Sequence, residues 1–219
     1  MAQLAEQKRE NPAGLRQTAL RLEYFTVGYN FLEGIFSVGL GILASSVALI
    51  GFGLDSGIEV LSALVLLWRL TRKEESNEHA ERLERRAVLF VGLSFMVLAI
   101  YIGWQAIEKL LNQAQPEASW AGIALTFTSL LVMPWLAFRK KKVAAQIKSR
   151  ALAADATETM ACVWLSVVTL GGLLLNALFG WWWADPVASL GIVFFLVKEG
   201  WEGIQVGTGR EELDCCADD

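Results

Sequence analysis

The sequence predicts an all-α polytopic membrane protein, a six-transmembrane-helix bundle with both termini cytoplasmic, and three observations predict it. Of 219 residues, 54% are hydrophobic and only 19% charged, with a mean hydropathy of +0.42, a balance foreign to soluble domains of this length. Uncharged runs occur at 34–54, 87–107, 118–138 and 159–184, each of the roughly 20 residues that a hydrocarbon core about 30 Å thick requires. Lys and Arg, finally, sort between alternate loops.

Residues 1–22 are read as a cytoplasmic N-terminal segment with no apolar stretch before its charges end, so no cleavable secretory signal is expected. Leu15, Ala19, Leu22 and Phe25 recur there at helical spacing among Arg16, Arg21 and Glu23. That pattern suits either an amphipathic helix on the membrane surface or a continuation of helix 1. The transmembrane domain is placed at 23–204. Helix 2 is expected over 46–68, carrying Asp55 and Glu59 inside an apolar stretch. Helix 6, over 186–203, is expected to start at Asp185-Pro186, with Asp as N-cap and Pro at the first helical position. Trp181, Trp182 and Trp183 read as an outer-interface belt between helices 5 and 6. Residues 205–219 are a short acidic tail containing Cys215 and Cys216.

Orientation follows from the basic residues. Lys8, Arg9, Arg16 and Arg21 precede helix 1; Arg69, Arg72, Lys73, Arg82, Arg85 and Arg86 follow helix 2; Arg139, Lys140, Lys141, Lys142, Lys148 and Arg150 follow helix 4. The other side has only Lys109, so the positive-inside rule places both termini in the cytoplasm. The run Arg139–Lys142, beside a span, is read as a topology signal and not as a nucleic-acid or anionic-lipid site. Neither that run nor the net charge of −4 implies a nucleic-acid partner. Cys162 lies inside helix 5 and Cys215 and Cys216 are adjacent in the tail, which implies no disulfide framework.

An ionisable side chain at the centre of a membrane helix costs about 2.5–3.5 kcal/mol on insertion scales, so Asp55 and Glu59 need a partner or a cavity. Their i, i+4 spacing puts both on one face of helix 2. Helix 5 offers Asp155, Glu158 and Cys162 at i, i+3, i+7, again one stripe. Counted from Arg69 and Arg150 at 1.5 Å per residue, Glu59 lies roughly 15 Å deep and Glu158 roughly 12 Å, Asp55 roughly 21 Å and Cys162 roughly 18 Å. If helices 2 and 5 are neighbours, three carboxylates and a thiol converge near the midplane, a set suited to a tetrahedral divalent ion. The plainer reading pairs each acid with a backbone or hydroxyl group and makes Cys162 one more small buried residue. Two carboxylates on one face, however, repel unless protonated or bridged by a cation. Asn30 and Glu33 share a face of helix 1 and are accessory or proton-relay candidates, with Glu33 equally able to snorkel or pair with an Arg.

The stretches SSVALIGFGLDSGIEVLSALVLLWR, SRALAADATETMAC and GWWWADPVASLGIVFFLVKEGWEGI resemble the membrane domain of the cation diffusion facilitator, or cation efflux, family over about residues 23–204. The resemblance implies export of divalent transition metals in exchange for protons, by a six-helix protein that is usually a homodimer. It implies transport-site residues in pairs four apart on helices 2 and 5, matched here by Asp55 and Glu59, and by Glu158 and Cys162. Zinc members often have His and Asp at the latter two positions. This chain's single histidine, His79, falls in a charged cytoplasmic loop, so the ion does not follow from the zinc pattern. Carboxylates favour manganese or iron, and a thiolate draws preference toward zinc or cadmium; zinc is the first expectation, with cobalt also admitted. The family's C-terminal cytoplasmic domain is not expected after Ile204. Cys215 and Cys216, with Asp214, Asp218 and Asp219, either capture metal weakly or belong to a disordered acidic tail.

Together these readings predict a metal/proton antiporter. The ligand carboxylates hold protons when the ion is absent and release them on its arrival, and Asp155 either relays them or caps the start of helix 5. An enzyme would need paired His or Glu-x-x-His motifs, which the helices lack. A non-transporting metal sensor or chaperone in the membrane is the alternative.

Overall fold

The computed structural model describes residues 12–71, 78–113, 117–147 and 149–208. They form six helices: α1 (Pro12–Ala44), α2 (Val47–Thr71), α3 (Glu78–Asn112), α4 (Trp120–Ile147), α5 (Arg150–Phe179) and α6 (Ala184–Gly207). α1 to α5 each contain a segment long and apolar enough to cross a membrane. α6 is 24 residues long, about 36 Å at 1.5 Å per residue, and lies along α3.

Several boundaries move from their expected places. The uncharged run 34–54 is not one span: α1 ends at Ala44 and α2 starts at Val47. Ser45, in the left-handed region at φ 52°, closes α1 as glycine more commonly does, and Ser46 N donates to Gly41 O at 2.9 Å. A Cβ at Gly41 would lie 2.9 Å from Ile50 N, so the two helices turn back at backbone contact. The run 159–184 stops at Gly180, whose φ of 65° and N–H bond to Asn176 O make a left-handed C-cap. α1 continues unbroken from Pro12, with Leu15, Ala19 and Leu22 buried in the bundle, and so takes the continuation reading. α3 begins at Glu78, which puts His79 on a helix and not in a loop, and Arg139–Lys142 lie within α4.

The start of α6 also differs. The helix begins at Ala184 after Trp183, without a side-chain cap. Asp185 does not cap α6 but α2: its carboxylate accepts from Val47 N at 3.0 Å and from Ser46 Oγ. A fully buried acid thus serves the positive end of a neighbouring helix. Trp181 and Trp183 stack beside it with centroids 5.1 Å apart, both exposed.

α2 is the most buried of the five candidate spans and touches α1, α3, α5 and α6. Small residues allow this closeness. Gly34 meets Gly53 O on α1 and α2, while Gly92 of α3 fits against Gly200 and Ile204 of α6. The N-terminus of α2 meets α6 through Asp185, and its other end meets α1, where the Arg16 guanidinium donates to Leu70 O. The start of α1 and the end of α6 therefore share one end of the bundle.

Candidate metal centre

The four expected ligands sit near the middle of α2 and α5, which pack antiparallel in the register the depth count predicted. Ser62 Oγ donates to Glu158 Oε2 at 2.7 Å, and Thr159 Oγ1 donates to Glu59 Oε1 at 2.8 Å. One turn further along, the Cys162 thiol faces the carboxylates of Asp55 and Glu59. Asp55, Glu59 and Cys162 are buried and Glu158 is half-buried.

All four border one cavity, together with Phe95 of α3 and Glu199 of α6. It accommodates about one water-sized sphere. Each glutamate spends one oxygen on a hydroxyl and leaves the other, Glu59 Oε2 or Glu158 Oε1, buried without a hydrogen-bond partner. Such orphaned acceptors call for a cation, a proton or water. No three His, Cys, Asp or Glu side chains among the described residues are yet gathered closely enough to hold an ion.

The accessory candidates divide. Glu33 lies on α1 behind α2, where its Oε2 accepts from Ser56 Oγ at 3.0 Å; it is buried and does not snorkel. Asn30, one turn earlier, is fully buried with neither amide atom hydrogen-bonded. Neither residue lines the cavity with the four ligands. Asp155 does not cap α5, because Ser149 does so by accepting from Leu152 N at 3.3 Å. The Cys215 and Cys216 candidates, with Asp214, Asp218 and Asp219, lie outside the described residues, as do Lys8, Arg9, Arg72, Lys73, Lys148 and the side chains of His79, Arg82 and Arg150.

Two participants escaped the sequence reading. Glu199 adds a fourth carboxylate to the cavity wall. Lys140, counted among four consecutive basic residues, is fully buried while Arg139, Lys141 and Lys142 are exposed. Its ammonium donates to Asp155 Oδ2, donates to Thr159 Oγ1 at 3.2 Å, and lies 3.4 Å from Glu23 Oε1. A signal for it existed: Met133, Ala137, Lys140 and Ala144 follow the four-three-four spacing of one helix face, and all four are buried.

A family model for the cation efflux transmembrane domain matches residues 25–205. An uncharacterised transporter of Synechocystis is 29% identical over 171 residues, 74% of this chain and 54% of that protein. A cadmium, cobalt and zinc/H(+)-K(+) antiporter of Bacillus subtilis is 25% identical over 199 residues, 86% of this chain and 61% of its own length. A manganese efflux system protein of the same organism is 26% identical over 172 residues, covering 74% and 58%. The chain thus spans a little over half the length of these curated relatives.

Proposed function

The chain belongs to the cation efflux transmembrane domain family, and from that premise we propose that it carries divalent transition-metal ions out of the cytoplasm in exchange for protons, through the cavity between α2 and α5. One observation carries the proposal: Glu59 and Glu158, from different helices, each present a single unpartnered oxygen beside Asp55 and the Cys162 thiol. Three oxygens and one sulfur make a tetrahedral set that zinc or cadmium accepts readily. Relatives named for cadmium, cobalt and zinc, and for manganese, support a substrate among first-row and related divalent ions. Zinc is our assignment because of Cys162.

Proton exchange follows from charge. Three carboxylates and a thiol enclosed together cannot all be ionised without a cation, so protons occupy the site when the metal leaves and depart when it returns. The end of the bundle bearing Arg69, Arg139, Lys141 and Lys142, all exposed, is assigned to the cytoplasm. The test is zinc flux into proteoliposomes under an imposed pH gradient. Wild-type protein should move zinc with an opposite proton flow, and Asp55→Ala should abolish both. Full activity of Asp55→Ala contradicts the assignment. Stoichiometric binding without proton counterflow would instead favour a non-transporting metal-binding protein.

A further inference from the structure

We propose that Lys140 is a positioning residue for the metal site: through Thr159 it sets which way the Glu59 carboxylate faces. The inference rests on the functional reading above and extends it to a residue outside the cavity.

A fully buried lysine in a membrane bundle is expensive unless every N–H is used. An ammonium has three donors: two bond Asp155 and Thr159 of α5, and Glu23 of α1 lies 3.4 Å away as an ion-pair partner whose oxygens take no hydrogen bond. A compact ammonium suits this set. A guanidinium, planar and with five donors, would not fit it.

The bond to Thr159 has a directional consequence. A hydroxyl has one proton to give, and Thr159 Oγ1 has three neighbours: the Lys140 ammonium at 3.2 Å, Asp155 O at 3.0 Å and Glu59 Oε1 at 2.8 Å. The ammonium can only donate, so it occupies a lone pair of the oxygen and leaves the proton for an acceptor. The nearer acceptor is Glu59. The relay therefore runs from Lys140 N–H to Thr159 O–H to Glu59 Oε1, and the second carboxylate oxygen, Oε2, is the one left unpartnered. Groups that hold a metal ligand by its other oxygen typically alter metal affinity by about 10–100-fold when removed.

A merely structural lysine makes a different forecast. If Lys140 serves only to neutralise Asp155 and Glu23, then Lys140→Met combined with Asp155→Asn and Glu23→Gln removes all three charges and restores normal behaviour, as charge-free replacements of buried ion clusters often do. The experiment measures zinc binding to detergent-solubilised wild type, Lys140→Met/Asp155→Asn/Glu23→Gln and Thr159→Val by titration calorimetry, alongside metal-free thermal unfolding. Thr159→Val keeps every charge and the side-chain shape but deletes the relay. We expect both variants to fold, shown by a cooperative melt, yet bind zinc at least about tenfold more weakly. Either folded variant binding zinc within a factor of about two of wild type overturns the inference. A wild type that binds no zinc would instead refute the functional reading itself, so the two failures are distinguishable.

Discussion

Lys140 and Asp185 are both ionisable, both fully buried, and both act on a helix other than their own. Their sequence contexts pointed elsewhere, to a loop charge and to the cap of α6. Asp185 instead satisfies the backbone N–H of Val47 and the hydroxyl of Ser46 at the start of α2, the helix that carries two of the four proposed ligands. Asp185→Ala would leave those buried donors unmet, at a cost of about 1–3 kcal/mol. Ser149→Ala, which removes only the local cap of α5, should cost about 1 kcal/mol. Thermal unfolding in detergent should rank the two in that order; equal midpoints would argue that water replaces the Asp185 carboxylate without loss. The proposed pair Asp55 and Glu59 stood out in the sequence because two acids four apart in an apolar helix repel each other until a cation or a proton joins them. Lys140 did not, because three exposed neighbours of the same charge masked its place on the buried stripe of α4.

At the level of elements, close helix approach decides where the ligands stand. α3 and α6 touch at Gly92 and Gly200, where a Cβ on Gly92 would fall 2.9 Å from both Gly200 O and Ile204 N. Backbone atoms cannot swing aside as a side chain can. Gly92→Ala should therefore lower stability by about 1–3 kcal/mol, whereas Gly171→Ala, with nothing within 4 Å of the added carbon, should be neutral or raise it by up to ~1 kcal/mol. Melting curves of the two variants check the contrast, and equal effects would mean that α3 and α6 do not pack this tightly in the membrane. Six helices could be read from hydropathy and from the Asp185-Pro186 signal. The uncharged run passes straight through the turn between α1 and α2, since Ser45 and Ser46 bear no charge, and only the expected start of helix 2 at 46, one residue before the observed Val47, marked the break. The uncharged runs also did not mark where helices end at the basic side, since α4 continues beyond Phe138 with a charged exterior and a buried Lys140.

Across the whole molecule, α2 is shared between two polar regions. One side bears Asp55 and Glu59 toward α5 and the cavity; another bears Ser56 toward Glu33 of α1. The antiparallel contact of α2 with α5 brings oxygen donors and a thiol to a common level, and the Lys140 relay ties that level to α4 and α1. The central claim is that one ion is held by both helices, with Cys162 as its only sulfur ligand. X-ray absorption at the zinc edge tests this most directly, on zinc-loaded protein in which Cys215 and Cys216 are replaced by Ser. The account predicts one sulfur at about 2.3 Å with oxygen neighbours at about 2.0–2.2 Å, and loss of the sulfur shell on Cys162→Ser. A wild-type-site spectrum with no sulfur neighbour, or one unchanged by Cys162→Ser, would contradict it.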